Sequence, residues 1–156
     1  MDGLSRHVLI LTLLVLAVGL PVARAEEGKV VLSSKASFSK VAAAMLKAIT
    51  NQGMGLVCHA NAQQGAAYRR VKIPGNQVFL IFRNDFAVRL INADPRSAYE
   101  APIRIYLYEN PDGTATVNYI KPSVLFEVYS HPEVAKVGAE LDPIFEKIVR
   151  EALAVQ

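Results

Sequence analysis

One cysteine, Cys58, is all that the 156 residues contain. No disulfide can form within the chain, so its stability rests on packing or on association. Net charge is also scarce. The chain carries +3, falling to +2 if Arg6, Arg24 and Asp2 leave with a leader. So small an excess does not favour nucleic acid or an acidic membrane surface as partner. There is one long apolar run, Val8 to Val18, and it is shorter than the roughly 20 residues a spanning helix needs. Nucleophile elbow, phosphate loop, paired-carboxylate pattern and cofactor fingerprint are all missing. Repeats, low-complexity tracts and linkers are missing too, and neither a cofactor nor a metal is expected.

What is present begins with an export signal. Arg6 and His7 lead the apolar run, and Pro21 precedes Ala23-Arg24-Ala25. Small residues at the first and third positions before a cut describe a secretory leader over residues 1–25, cleaved after Ala25. No cysteine lies near the cut, which excludes a lipoprotein anchor. The remaining 131 residues, 26–156, suit one domain with a real core and no membrane segment. Export and sparing cysteine use fit a bacterial periplasm, with secretion as the alternative.

The strongest local signal lies between Pro102 and Lys121. Two alternating runs flank Asn110-Pro111-Asp112-Gly113, a turn in which proline sets φ and glycine can take φ > 0. A three-residue loop with a glycine bulge pairs Leu107 with Val117 and Ile105 with Tyr119 on an apolar face. It leaves Tyr106 opposite Asn118 and Tyr108 opposite Thr116 on the other face. A plain four-residue turn would slip the register by one and mix the faces.

Strands are also predicted over Lys29–Ser33, Gly55–Ala62 and Asn76–Phe82. The last is apolar on both faces and is therefore expected to be central and covered on both sides. Phe38, Val41, Ala42, Met45, Leu46 and Ile49 follow the amphipathic helix template, with Ser37 or Ser39 as N-cap and Gly53 as left-handed stop. Residues 63–75 read as a loop with a helical turn near Ala66. Asp85 is expected to cap a short helix bearing Phe86, Val88, Leu90 and Ile91, and Asp94-Pro95 to start a turn or a second short helix through Ala98. A final helix over residues 131–154 opens with Ser130 and Glu133 at capping-box spacing. Pro143 should kink or break it, with Asp142 as a fresh cap. The fold class is α+β: a single domain with a predominantly antiparallel sheet of about five strands and helices on one face.

The helix ending at Gly53, the strand Cys58-His59-Ala60, Phe82-Arg83-Asn84-Asp85, Ala93-Asp94-Pro95, Ala101-Pro102, Asp112-Gly113 and Tyr119-Ile120-Lys121-Pro122-Ser123 occur in series. Together they resemble the domain of unknown function 302 family over about residues 31–125. The resemblance implies a small bacterial or archaeal α+β domain that tends to dimerise, is often exported, and has no established activity. Relatives often carry aspartate where Cys58 stands, and glycine and proline where Arg83 and Asp85 stand, while Asn84 is kept.

His59 is the leading single candidate for chemistry, as a general base or metal ligand. The plainer reading is a histidine bonded to a backbone carbonyl or simply exposed. Cys58 and His59 point to opposite faces of a strand and cannot easily share one ion. Cys58 reads as a small buried hydrophobe, and His131 as a cap. Arg83 and Asn84 are candidate binding residues beside His59, Asn84 doubling as a turn residue. The outer hairpin face, Arg104, Tyr106, Tyr108, Thr116 and Asn118, is the candidate interface, because tyrosine and arginine bury area while keeping polar handles. The preferred reading is a non-enzymatic periplasmic homodimer that binds a small molecule or a protein. The alternatives are a small enzyme using His59 with Arg83, and a metal or redox accessory protein using Cys58 and His59.

Overall fold

The computed structural model describes residues 28–155, so the leader expected over residues 1–25 lies outside the described residues. The alternating segments form β1 (Lys29–Ser37), β2 (Gly55–Asn61), β3 (Asn76–Phe82), β4 (Ile103–Glu109) and β5 (Thr114–Ile120). They make one antiparallel sheet in the order β1-β5-β4-β3-β2. The expected hairpin register holds, with Leu107 opposite Val117, Tyr106 opposite Asn118 and Tyr108 opposite Thr116. Gly113 adopts φ +80°, which a Cβ would disfavour, and Asn110 and Thr114 close the loop through Asn110 N to Thr114 O at 2.8 Å.

Helices α1 (Phe38–Asn51), α2 (Ala62–Tyr68), α3 (Asn84–Ala93), α4 (Pro122–Phe126) and α5 (Pro132–Leu153) and a 3-10 segment (Pro95–Glu100) complete the chain. The principal layer is α1 against α5, laid over the sheet. Phe79, Ile81, Ile105, Leu107 and Val117 point into it and are buried. Val41, Met45 and Ile49 of α1 meet them, with Val137, Phe145 and Ile148 of α5. The α+β architecture and the core face of the hairpin are as expected from periodicity.

Local details differ where tertiary contacts decide. Strand β3 lies between β4 and β2, and the middle strand is β4. Gln77, Phe79 and Ile81 are buried, whereas Val78, Leu80 and Phe82 are only partly so, because helices cover one face. Leu46, Val88 and Ile91 are exposed, and Ala48 and Ala87 are buried instead. Asp85 is in the first turn of α3 rather than at its cap, which is Arg83. Ser37 holds the N-cap position of α1, but its hydroxyl makes no cap bond.

Helix α5 is capped by His131, not Ser130: the His131 Nδ1 accepts from the Glu133 amide at 3.2 Å. It runs unbroken through Pro143. The carbonyl that loses its partner there belongs to the exposed Ala139, where water can take the missing bond. Asp142 starts no new helix. Its carboxylate accepts from Ser123 N at 2.9 Å and Ser123 Oγ at 2.6 Å, tying the start of α4 to the side of α5. At that crossing Gly138 lets the two backbones meet, since a Cβ there would lie 2.8 Å from Ser123 Cα.

Candidate functional site

Strand β2 is an edge strand with a bulge: Leu56 faces Ile81, but Cys58 faces Leu80 and His59 faces Phe79. The extra residue, Val57, moves His59 to the face shared by Leu56 and leaves Cys58 on the other. As expected, Cys58 and His59 point apart. The expected burial of Cys58 is wrong; the thiol is exposed, on an edge strand whose residues are exposed on both faces from Gly55 to Ala60.

The His59 ring stacks on Phe79, with centroids 4.7 Å apart and planes at 13°. Its Nε2 donates to Gln77 Oε1 at 2.9 Å. An amide oxygen only accepts, so Nε2 is the donor in this contact. The orienting group is a neutral amide, not the carboxylate that would steady an imidazolium.

Arg83 follows the far end of β3. Its Nε and Nη2 donate to the two carboxylate oxygens of Asp85 at 2.8 and 3.1 Å, and its guanidinium lies 4.2 Å from the Phe86 ring centroid. The hydrogen bond from Arg83 holds the Asp85 carboxyl below its ordinary value. The cation is therefore already matched. Asn84 is exposed at the first position of α3. Phe79, under His59, and Arg83 are four residues apart on extended chain, about 13 Å. His59, Arg83 and Asn84 are not brought into one cleft. Among the described residues no group of three or more histidines, cysteines and acids is placed to hold a metal ion.

The outer hairpin residues do come together. Tyr106 and Tyr108 stack at 5.6 Å with planes at 28°, and Tyr106 Oη accepts from Asn76 Nδ2. Arg104 is exposed beside them. Thr116 differs from expectation: it is 3% exposed, bonded to Ser33 Oγ and to Asn110 Oδ1, each at 2.9 Å. It stiffens the hairpin and offers little surface to a partner.

The pairing adds residues that sequence reading missed. Val31 lies opposite Asn118, Leu80 opposite Arg104, and Val78 opposite Tyr106. Cys58 and Ala60 extend the same face across β2. The signal was available in the apolar outer positions of β3, which read instead as a strand covered on both sides. At the end of this face, where β4 enters and β5 leaves, lies a cleft of about 410 Å³. Leu80, Arg104, Tyr106 and Asn118 line it from the sheet, and Tyr99 and Glu100 from the 3-10 segment. Tyr99 and Glu100 had no pattern to mark them, since only the path of the 3-10 segment brings them to the sheet.

Comparison with known proteins places the fold. A family model for a domain of unknown function, DUF302, matches residues 30–152, past the motifs legible in the sequence and through most of α5. A crystal structure of an uncharacterized conserved DUF302 protein from Bacillus stearothermophilus superposes with a TM-score of 0.70 at 12% identity, covering 81% of this chain and 98% of that one. No curated protein matches the chain. With its sheet, its helices and residues 30–152 all accounted for in this way, the chain belongs to the DUF302 family of domains of unknown function.

Proposed function

We propose that the protein is an exported, non-enzymatic binding domain that works as a homodimer, mating through its uncovered sheet face. The observation that carries this reading is the face itself. Val31 on β1 is 53% exposed and Ile120 on the adjoining β5 37%, and the partly buried Tyr106 and Tyr108 of β4 and Val78 and Leu80 of β3 continue the face across the sheet. Contiguous apolar surface of this kind marks an interaction site. Tyrosines at its centre suit an interface.

The sheet edges favour a face over an edge as the contact. Both outer strands are irregular, β1 between Ser34 and Ser37 and β2 between Leu56 and Cys58. Bulges twist an edge away from a further strand. Five strands about 4.8 Å apart, each about seven residues long, give a face of about 24 by 23 Å, on the order of 550 Å² before side-chain relief. A standard interface takes about 800 Å² from each partner, so one further copy of the same face is a fitting occupant, self-complementary about a two-fold axis. A binding role is favoured over catalysis because His59 is oriented by an amide and Arg83 is matched by Asp85.

Sedimentation velocity on the purified protein tests the pairing. The wild type is expected as a dimer at micromolar concentration, and Tyr106→Glu as a folded monomer. A monomeric wild type, or a folded Tyr106→Glu protein that keeps the wild-type assembly, would overturn it. Export is read independently from the N-terminal sequence of protein recovered from the cell envelope, expected to begin at Glu26.

A further inference from the structure

The cleft beside the hairpin has a chemical character of its own. Arg83, Arg89, Arg96 and Arg150 each hold a carboxylate within 2.6 to 2.8 Å. Arg104, like Arg69 and Arg70, has no ion-pair partner among the described residues. It stands on the middle strand with Leu80 as its neighbour on β3, at the floor of the 410 Å³ cleft. Small-molecule sites run from about 300 to 1,000 Å³ and combine apolar walls with few polar groups. A guanidinium beside aliphatic side chains is poorly solvated on that flank, so an arriving carboxylate gains a two-pronged, charge-assisted bond.

The walls are set before any ligand arrives. The Tyr106 ring is held by Asn76 at its hydroxyl and by Tyr108 at its face. Tyr99 is 88% exposed, yet it projects from a braced segment. The Asp94 carboxylate accepts from Arg96 N at 3.0 Å, and the buried Ser97 donates through Oγ to Asp94 O at 2.7 Å. Glu100, the one acid in the cleft lining, is engaged by the Tyr129 hydroxyl at 3.1 Å. An exposed aromatic ring on a braced segment, in one cleft with a second fixed ring and a cation, is suited to a flat ligand.

We infer that this cleft binds a small organic carboxylate with a flat apolar body, its carboxylate on Arg104 and its body against Tyr106 and Tyr99. The site goes beyond the homodimer reading and rests on that pairing leaving the Arg104 end of the face open, with binding and assembly measured separately. Benzoate is the probe, with benzamide as its neutral counterpart and acetate as the anion without a flat body. Titrated into the isotopically labelled protein, benzoate is expected to shift the amide resonances of Arg104, Tyr106 and Asn118 to saturation. Benzamide and acetate are each expected to bind about tenfold more weakly, and Arg104→Gln to weaken benzoate by about tenfold or more, the scale of one charge-assisted bidentate contact. Arg104 is exposed, so the variant should fold, and sedimentation shows whether it keeps the wild-type assembly. Three results overturn the inference: no benzoate-induced shift at these residues, undiminished affinity in Arg104→Gln, or equal binding of benzamide or acetate. Because the cleft shares Leu80 and Tyr106 with the mating face, each result is read beside sedimentation of the same sample: a dimer without the shift overturns this inference alone, and a monomer that binds benzoate overturns the pairing alone.

Discussion

Replacing Gly138 with alanine sets two effects of opposite sign against each other. Gly138 lies inside α5, where alanine favours the helix by about 1 kcal/mol. The new Cβ, however, would sit 2.8 Å from Ser123 Cα, 3.2 Å from Ser123 N and 3.3 Å from Pro122 O. All three are backbone atoms, and carbon contacts relax only near 3.5 to 4.0 Å. Helix α4 must therefore retreat, at a cost of about 1 to 3 kcal/mol for overpacking. One turn further along α5, Asp142 accepts from Ser123 N and Oγ, and the same retreat lengthens both bonds. The expected net is a loss of about 1 to 2 kcal/mol, or roughly 1 M in the urea midpoint at fixed protein concentration, followed by far-ultraviolet circular dichroism. A more stable Gly138→Ala protein would refute the close approach, because helix propensity alone then decides. Measured again in an Asp142→Ala background, the loss should shrink by about 0.5 kcal/mol or more, since both changes act on one contact.

Asp142→Ala alone removes two hydrogen bonds to a charged acceptor and should destabilise the protein by about 2 kcal/mol, read from the same urea curves; a change within about 0.5 kcal/mol would show that Ser123 finds another acceptor. A pH series follows from the α3–α5 contact, where Arg89 donates to Glu140 at 2.6 and 2.9 Å and to Glu133 at 2.7 Å. The bond from Arg89 holds the Glu140 carboxyl below its ordinary value of 4.5. A lowered folded value means that the pair stabilises the fold above that ordinary value and loses the contribution as pH falls through the folded one. Wild-type urea midpoints should therefore decline below about pH 4.5 more steeply than those of Glu140→Gln. Parallel declines would remove the pair from the account of acid stability.

What was legible in the sequence was the part governed by local periodicity. The hairpin register, the buried face of α1 and the long stripe of α5 each follow from apolar residues recurring at the spacing of their element. What misled was context. Val78, Leu80 and Phe82 are apolar whether they meet a helix or open surface, so alternation could not say which face of β3 was covered. Cys58 shared its sequence pattern with Leu56, yet the bulge at Val57 put them on opposite faces. Asp142 and Pro143 looked like a helix start until Ser123, 19 residues upstream, supplied a different partner for the carboxylate.

The candidate sites divide in the same way. The outer hairpin residues were found because cross-strand neighbours follow from one turn, and only Thr116 was misjudged, its hydroxyl taken up by Ser33 and Asn110. His59, Arg83 and Asn84 were grouped because they flank neighbouring strands in the chain. The antiparallel pairing sets His59 over Phe79, about 13 Å of strand from Arg83.

By itself the sequence determined the α+β class, the hairpin register and the core face of each long element, since these depend on side-chain period and turn chemistry within a few residues. Only the tertiary structure decided which sheet face stays open, that Arg104 stands in a cleft walled by Tyr99 and Glu100, and that α4 rests on Gly138 and Asp142. Those outcomes depend on where distant elements are packed. A residue's own neighbourhood in the chain does not encode which backbone or side chain will be laid against it.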